Sequence, residues 1–555
     1  MKHLKHILAV IALVFITFVA AACSNKGVKG ISCDAAITAR RDKITVVTNF
    51  VDSDKRIFNT ITPTVSLYKN ENNKVGEIIE SRTLSIKPNT DYAETTTSDE
   101  AVFNNLEQEK DYTVKVLVTV DGYESVLYEE NVKTTLDGSD EEHAISIKTV
   151  DDFIAIKHDR EGYFRLDQDL DFNNQQLSSM FYLNTSAFTG QFDGNNHTIK
   201  NFTMKASQQY NGLFGYNDGV IKNLTIENFT LTANRSSEAH IGFIAGYNEG
   251  QILNCNIKNS KLEAESTTYS LTNPFNVGGI VGTLGGEKEK IKVENCSIFN
   301  SEMKVKLVNN GSVGGAIGSV EGASSARSTQ TITKNNVNMN VTVEQAFATS
   351  IKPEETSFSI GGFVGEAAGK YEDNISKGKI VVTTKSHDQY NESNGNKAIM
   401  LYVGGFAGRT IPNTSLHITN VLFDGEISVT SSLIYTKSEK ATEGENNEKK
   451  VNFDLFVGGL IGHNSALNIS NAASKVAKIK VVINRENITG DHKVNQGMLF
   501  GTSTRDLVLV DKNIKSLIDV TFNVTLNGAT KVEDKHNNVN NSLEGFSDFI
   551  KNNFK

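Results

Sequence analysis

One short glycine-rich motif occurs eight times along the chain, and this repetition limits the fold more than any other feature. The copies are centred on NGLFG, IGFIAG, VGGIVG, VGGAIG, IGGFVG, VGGFAG, VGGLIG and a degenerate QGMLFG. Their last glycines are separated by 31, 36, 36, 47, 43, 54 and 39 residues, and they are Gly215, Gly246, Gly282, Gly318, Gly365, Gly408, Gly462 and Gly501. A unit that recurs at a variable period indicates a repeat architecture with loops of different length at its corners.

A second unit follows the glycine motifs. It consists of an apolar residue, any residue, asparagine and another apolar residue, as in Ile252-Leu253-Asn254-Cys255. The asparagines of this unit are Asn223, Asn254, Asn295, Asn420 and Asn471, with Asn336 and Asn374 as looser members. An alternating segment such as KLEAE or KIVVTT comes next, so each repeat supplies about three short strands.

A stack of three-strand coils explains these residue types. Successive coils of such a stack lie ~4.8 Å apart, and their hydrogen bonds run between coils. Turns between faces often need a left-handed residue, which glycine and asparagine tolerate best, and stacked asparagines can bond to each other in a ladder. We therefore expect these asparagines at turns, and we expect glycines at corners or close backbone contacts at Gly212, Gly215, Gly242, Gly246, Gly279, Gly282, Gly315, Gly318, Gly362, Gly365, Gly405, Gly408, Gly459 and Gly462.

The glycine motif followed by the asparagine unit resembles the GLUG repeat of secreted bacterial proteins. The stretch FTGQFDGNNHTIKNFTM at 188–204 is similar to the segment that precedes such repeats in bacterial surface β-helix proteins, including the β-helix part of immunoglobulin A proteases. The resemblance covers about 145–525 and implies a right-handed parallel β-helix, a surface location and often an adhesive role. Those proteases are zinc enzymes with an H-E-x-x-H helix, and this sequence has no such string, so protease activity is not implied.

The N-terminus predicts export. Lys2 and Lys5 precede a short apolar run, which is followed by three alanines and Cys23. This is the pattern of a secretory signal, and the run is too short for an ordinary membrane-spanning helix. The Ala-Ala-Ala-Cys end resembles a bacterial lipobox, which implies a signal peptide at 1–22, a lipid on Cys23 and a lipid-anchored linker at 23–37. We expect the protein at the extracellular face of the cell membrane, held by this lipid; general signal-peptidase cleavage to a secreted form is the alternative.

Two regions flank the repeats. Residues 38–137 alternate in strand fashion between turn signals, which predicts a β-sandwich, and Tyr112 in YTVKV resembles the corner tyrosine of a fibronectin type III or immunoglobulin-like domain. A helix-like segment at 149–158 and a tail at 526–555 are predicted to cap the two ends of the array. The expected fold class is all-β, with a sandwich followed by a parallel β-helix over 145–525 and short capping helices.

Composition and cysteine usage exclude several functions. A formal net charge of −9 and a pI of about 5.8 leave no basic footprint for a nucleic-acid partner. Besides Cys23, the cysteines are odd in number and widely spaced, which indicates neither a disulfide framework nor a zinc site. Cys255 and Cys296 take equivalent positions in consecutive repeats and are expected to be small buried hydrophobes, although a disulfide between them stays open.

Few residues suggest chemistry. Asp167, Asp169 and Asp171 alternate, which would place three carboxylates on one strand face. They could bind Ca²⁺ or act as the acid pair of a polysaccharide hydrolase, but a solvated outer face is the simpler interpretation, and no cofactor is expected. His197 and His463 stand alone in predicted turns, where a structural role is favoured. The glycine motifs do not suit a phosphate loop, because strands and not helices follow them.

The leading functional hypothesis is a non-enzymatic surface lipoprotein, an adhesin or binding scaffold for a host, matrix or glycan ligand. The polar stretch KSEKATEGENNEKK at 437–450 is predicted to be a solvated loop, with a binding loop as the alternative. A polysaccharide lyase or glycoside hydrolase is the second hypothesis, and a groove that gathers charged and aromatic residues from adjacent coils would favour it. A purely architectural component of a cell-surface layer is the third.

Overall fold

The computed structural model describes 25 stretches of the chain, and the chain forms two compact units. The described residues are 30–40, 42–52, 62–71, 73–84, 96–107, 110–120, 123–134, 138–267, 273–286, 290–308, 310–321, 330–346, 357–385, 398–411, 416–434, 449–450, 452–465, 468–476, 478–486, 488–489, 492–503, 514–516, 521–527, 531–534 and 547–553. The first unit is Met1–Phe164 with Asn184–Ser186, and the second is Arg165–Leu183 with Ala187–Lys555. The prediction of an all-β chain with long parallel sheets is confirmed.

The first unit contains two antiparallel sheets over one buried cluster. The strands of the smaller sheet are, in spatial order, Ile31–Arg40, Lys43–Asp52 and Thr96–Phe103. Those of the larger sheet are Lys74–Thr83, Thr64–Glu71, Asp111–Val120 and Tyr123–Lys133. The first strand corrects the predicted linker at 23–37, because Ile31, Ala35 and Ile37 bury their side chains in the shared cluster. The small and polar residues between them hide this alternation in the sequence.

A short helix, Val150–Ala155, follows the strand Ile145–Ile147 in the first unit. Thr149 caps it as predicted, since Asp152 N donates to Thr149 Oγ1 at 3.1 Å and Thr149 N donates to Asp152 Oδ2 at 2.9 Å. The 3₁₀ turn Ile156–His158 continues it, and Lys157 Nζ donates to Glu130 Oε1 at 2.5 Å. These contacts join the helix to the first unit, and its role as a cap of the array stays a prediction. The strand Tyr163–Leu166 has its first two residues in the first unit and its last two in the second, and the 3₁₀ turn Asn184–Ser186 belongs to the first unit.

The second unit is built from three long parallel sheets, which we call faces 1, 2 and 3. Face 1 has nine strands: Tyr210–Asn211, Ala239–Gly242, Phe275–Gly278, Gly311–Gly314, Ser357–Gly361, Ala398–Gly404, Asn452–Gly458, His492–Gly497 and Lys531–Asp534. Face 2 has eight: Phe214–Asn217, Ala245–Asn248, Val281–Leu284, Ile317–Val320, Val364–Ala367, Ala407–Thr410, Ile461–Asn464 and Phe500–Ser503. The short strands Lys449–Lys450 and Ile488–Thr489 pair beside them.

Face 3 receives two segments from most coils, and in some coils these merge into one long strand. Its strands in the second unit are Leu170–Leu177, Gln191–Asp193, Thr198–Ala206, Val220–Lys222, Thr225–Arg235, Gln251–Leu253, Asn256–Lys258, Lys261–Ser266, Lys292–Glu294, Ser297–Leu307, Thr331–Thr333, Asn336–Ala346, Lys370–Lys385, His417–Ile434, Asn468–Ser474, Lys478–Glu486, Ile514–Ser516 and Thr521–Asn527. The chain runs from face 1 through face 2 to face 3 and then returns to face 1, which is the arrangement of a parallel β-solenoid. We number its coils 1 to 8 by the glycine motif that each contains.

Each glycine motif forms two short strands joined by a corner, and not one buried strand. In VGGIVG the face 1 strand ends at Gly278 and the face 2 strand begins at Val281. The corner residue Gly279 points toward face 3, because a Cβ built on it would lie 2.7 Å from Ile298 Cδ1 and 3.0 Å from Met339 Sδ. The corner therefore reaches toward the core, and we call the re-entrant seam outside it, between faces 1 and 2, the groove.

The last glycine of each motif lets the backbones of faces 1 and 2 meet. A Cβ on Gly246 would lie 2.6 Å from His240 O, and one on Gly318 would lie 2.7 Å from Val277 N. Both atoms belong to the backbone of face 1, so no change of rotamer could relieve the clash. These contacts form the floor of the groove.

The asparagines of the second unit turn the chain between the two segments of face 3. Asn223, Asn254, Asn295, Asn420 and Asn471 have φ angles of 54°, 55°, 54°, 54° and 47°. Asn254 Nδ2 donates to Asn223 Oδ1 at 3.0 Å, and Asn295 Nδ2 donates to Asn254 Oδ1 at 2.8 Å. This backbone region is one that asparagine enters more readily than other residues with a side chain, and the side-chain ladder links successive coils.

The two looser members of the asparagine series are corrected. In coils 4 and 5 the left-handed residues are Lys334 and Asp373, each with φ of 58°. Asn336 begins a strand of face 3, and Asn374 is fully buried. The sequence KNNVN offers several polar residues in a row, so spacing alone does not identify the one that turns.

The outer side of face 3 changes from polar to apolar along one column of paired residues. The column is Thr198, Thr225, Asn256, Ser297, Asn336, Ile375, Leu422, Ala473 and Lys515. The C-terminal helix Asp548–Asn553 covers the apolar part, where Ile550 is 0% exposed and packs on Ile375, Leu422 and Ala473. The helix lies on the flank of coils 5 to 7, which corrects the prediction that it caps the last coil.

Candidate functional site

The groove between faces 1 and 2 is lined by one side chain from each face in every coil. Face 1 contributes Tyr210, His240, Asn276, Ser312, Ser359, Tyr402, Phe456 and Asn495. Face 2 contributes Tyr216, Tyr247, Thr283, Ser319, Glu366, Arg409, His463 and Thr502. We call these side chains the groove residues.

The two columns of groove residues contact each other across the groove. His240 Nδ1 lies 2.7 Å from Thr283 Oγ1, and Asn276 Nδ2 donates to the same hydroxyl at 3.0 Å. Farther along, the Arg409 guanidinium lies over the Tyr402 ring at 5.5 Å from the centroid. The groove is thus narrow, and its width is set by pairs of side chains from opposite walls.

Coils 1 and 2 form an aromatic end. The Tyr210 and His240 rings stack with centroids 5.3 Å apart, and the Tyr216 and Tyr247 rings stack at 4.8 Å. The two stacks meet edge to face, since the Tyr210 and Tyr216 rings are 5.2 Å apart at 88°. In such perpendicular contacts the positive edge of one ring faces the negative face of the other, which stabilises the cluster.

Carboxylates surround this aromatic end. Tyr247 OH donates to Glu321 Oε2 at 2.6 Å, and His240 Nε2 lies 2.8 Å from Glu238 Oε1. Burial, followed by the charges of Glu238, Glu321 and Glu249, raises the pKa of Tyr210 to about 12. The hydroxyls at this end are therefore neutral donors at physiological pH.

The middle of the groove is filled by its own side chains. Asn276, Thr283, Ser312, Ser319 and Ser359 are at most 7% exposed. The groove residues that are partly exposed lie toward the two ends, and they include Tyr210, Tyr216, Glu366, Arg409, Phe456 and His463.

Coils 5 to 7 form a charged end with aromatic neighbours. The Glu366 carboxylate accepts hydrogen bonds from Ser359 Oγ and Ser319 Oγ, both at 3.4 Å, and from Arg409 Nη2. Phe456 stacks on Tyr402 with centroids 5.1 Å apart. Glu366, Arg409 and Phe456 remain partly exposed, so this end of the groove is open to a ligand.

His463 is a groove residue of this charged end. Sequence analysis placed it in a turn, but it lies in the strand Ile461–Asn464 of face 2, with its ring 5.4 Å from that of Tyr402. Burial, followed by the Arg409 charge, lowers its pKa, so the ring is neutral at physiological pH. Its Nδ1 has no hydrogen-bond partner among the described residues.

The aspartate trio does not form the predicted cluster. Asp167 and Asp169 precede the strand Leu170–Leu177 and only Asp171 lies within it, so the three do not alternate along one strand face. Each has a partner: Arg165 Nε donates to Asp167 Oδ1 at 3.0 Å, Thr198 N to Asp169 Oδ1 at 2.9 Å, and Asn201 Nδ2 to Asp171 Oδ1 at 3.0 Å. Among the described residues no three His, Cys, Asp or Glu side chains converge as metal ligands, and the Ca²⁺ hypothesis gains no support.

The other singled-out residues are structural. His197 lies in a turn, as predicted, with Nδ1 3.1 Å from Asp169 Oδ1. Cys255 and Cys296 are free thiols, each 1% exposed, which confirms them as small buried residues. In the following coils the buried Asn335 and Asn374 take this position, and Asn335 Nδ2 donates to Asn374 Oδ1 at 2.9 Å. This buried amide ladder was not predicted.

The lipid on Cys23 and residues 437–448 of the predicted loop lie outside the described residues. The last two residues of that loop form the short strand Lys449–Lys450. In the part of the chain that the structure describes, no helix combines the length and the apolar character needed to cross a membrane.

The groove residues were missed by sequence analysis although the sequence carries a signal for them. They occupy the position two before the first glycine of each strand pair, as in His240-Ile241-Gly242, and the position after the last one, as in Gly408-Arg409. These positions vary while the glycines recur. An alignment of the eight copies shows two variable positions beside the recurring glycines, and these positions hold the groove residues.

Comparison with known proteins adds little. No protein-family model matches the chain. A segment of the chain is 33% identical over 100 residues to halomucin from Haloquadratum walsbyi. The matched residues are 18% of this chain and 1% of halomucin. A match of this extent does not show a family.

Proposed function

We propose that the protein is a cell-surface lipoprotein that binds an extended glycan along the groove of a right-handed parallel β-helix. The observation that carries the proposal is the pair of side-chain columns that line the groove through eight consecutive coils. Aromatic rings and fixed polar groups in a line suit a polymer of sugar rings, which have apolar faces and hydroxyl edges. This is a binding role without catalysis, and it places the ligand at the aromatic and charged ends.

The first unit supports a spacer role in this proposal. Its two sheets over one core fit a fibronectin type III or immunoglobulin-like sandwich. Glu107 N donates to Tyr112 OH at 3.0 Å, which fits the corner tyrosine of such domains. A lipid on Cys23 would hold this unit at the membrane, and the GLUG resemblance of the repeats favours the cell surface.

An array of glycans and matrix proteins tests the proposal, probed with the chain from residue 24 onward. We expect glycan binding, and we expect Phe456→Ala to weaken it at least about tenfold, because an aromatic contact is worth roughly 1.5 kcal/mol or more. Phe299→Ala is the matched control, since Phe299 is 36% exposed on the strand Ser297–Leu307 of face 3. Equal binding by the wild type and both variants would place the ligand elsewhere.

A polysaccharide lyase or glycoside hydrolase is the second candidate. The charged end favours it, because Glu366, Arg409 and the neutral His463 lie together in a groove with aromatic walls. The same purified chain, incubated with the glycans that it binds, distinguishes the two. Appearance of cleaved products that Glu366→Gln abolishes would establish the enzyme and end the non-catalytic proposal.

A further inference from the structure

The charged end of the groove contains one fixed guanidinium. Arg409 is the one arginine or lysine among the groove residues, and its side chain is 30% exposed. The other positions of both columns in the described coils hold no arginine or lysine. A ligand that follows the groove therefore meets a permanent cation at this position.

The surroundings of Arg409 hold its planar fork in one place. Nη2 donates to Glu366, and the guanidinium lies over the Tyr402 ring. Glu366 is itself fixed by the hydroxyls of Ser319 and Ser359, each at 3.4 Å. Arg409 Nε is buried, so the donors that face a ligand are the N–H groups of Nη1 and Nη2 that the bond to Glu366 does not use.

An aromatic surface lies beside this fork. Phe456 packs on Tyr402 with an angle of 20° between the rings and stays partly exposed. His463 adds a second ring, 6.0 Å from that of Phe456. The guanidinium lies over Tyr402, on which Phe456 packs, so a sugar in contact with these rings lies next to Arg409.

We infer that coils 5 to 7 form a subsite for a uronic acid, a sugar whose exocyclic carbon is a carboxylate. Arginine binds carboxylates through two parallel N–H···O bonds, which a lysine cannot reproduce. Glu366 and the nearby Asp454 outnumber Arg409, so the formal charge of the subsite is negative and selection rests on the fork and not on long-range attraction. This inference rests on the proposed glycan-binding role of the groove and names the sugar class.

A galacturonic acid hexamer and its fully methyl-esterified form test the inference, because the two probes differ in charge but share the same rings. Binding of both to the chain from residue 24 onward is measured by calorimetry. We expect the acid to bind at least about tenfold more tightly than the ester, because only the acid forms a charge-assisted pair with Arg409. Arg409→Ala is expected to remove this difference while ester binding persists.

Two further variants make the test decisive. Arg409→Lys keeps a cation beside Glu366 and should recover only part of the preference. Lys379→Ala removes an exposed lysine of face 3 that pairs with Glu426 at 3.0 Å, and it should change nothing. Equal binding of acid and ester by the wild type, or an undiminished preference in Arg409→Ala, overturns the subsite and leaves the groove proposal standing. Binding of neither hexamer also overturns the uronic acid subsite. The glycan array then tests separately whether the groove binds another glycan.

Discussion

At the scale of single residues, the corner glycines are required by contacts and not by their own backbone angles. Positive φ angles in the described repeats belong mainly to asparagines, while the glycines of the motif lie where a Cβ has no room. A turn that needs a left-handed residue is a local property, so the sequence predicts it well. A close approach to face 3 depends on a strand about 20 or more residues away, and the sequence shows only that glycine recurs.

Gly279→Ala tests whether the corner has room for a Cβ atom. The new Cβ would lie 2.7 Å from Ile298 Cδ1 and would also press on the backbone oxygen of Gly315. We expect a loss of about 1–3 kcal/mol in the free energy of unfolding, as for other overpacked cores, read as a lower thermal midpoint.

Gly76→Ala is the control for this prediction. It lies on the exposed strand Lys74–Thr83, where the nearest atom to a new Cβ is 3.2 Å away. Unchanged midpoints for both variants would show that the corner has room for a side chain.

The buried amides mark the limit of residue-scale prediction. Asn335 and Asn374 lie in the core because each satisfies the other and nearby backbone groups, as in Asn374 Nδ2 donating to Ile332 O at 2.8 Å. An asparagine next to a turn is read as a turn residue unless its partner in the next coil is known. That partner is 39 residues away in the sequence.

At the scale of elements, the glycine motifs predicted the eight coils that contain them, whereas the position of the C-terminal helix did not follow from the sequence. The apolar face of that helix is visible in the sequence, whereas the surface on which it packs is not. This surface is one column of face 3 that becomes apolar in three coils. It can be recognised only when the strands are aligned coil by coil.

Ile550→Asp tests the C-terminal helix as a strap on the flank of the solenoid. Ile550 is fully buried against three coils, and its burial contributes about 2 kcal/mol. We expect the variant to release the helix and to speed amide hydrogen exchange in 370–385, 417–434 and 468–474 by tenfold or more, because these strands lose their cover. Coils 1 to 3 should keep the exchange rates of the wild type.

The matched control for the strap is Asn552→Asp, which changes an exposed residue of the same helix by one charge. It should leave exchange unchanged in all coils. If Ile550→Asp also leaves coils 5 to 7 unchanged, the helix does not stabilise the flank on which it lies.

At the scale of the whole molecule, the all-β class with long parallel sheets followed from the sequence, because repetition and alternation are global signals. The candidate site did not follow, because it consists of the positions that vary between copies. The groove exists only because the corners of successive coils are re-entrant and in register. Its chemistry changes from an aromatic and acidic end to an end with one guanidinium, which gives the solenoid a direction that a ligand could recognise.

Photo-crosslinking shows whether the groove is the ligand-binding surface. A benzophenone amino acid replaces Phe456 in the groove or, as the control, Phe299 on the outside of face 3, and each variant is irradiated with a glycan that the wild type binds. If the ligand binds in the groove, a covalent adduct forms at position 456 and none forms at position 299. An adduct at position 299 alone, or at neither position with binding intact, would contradict it.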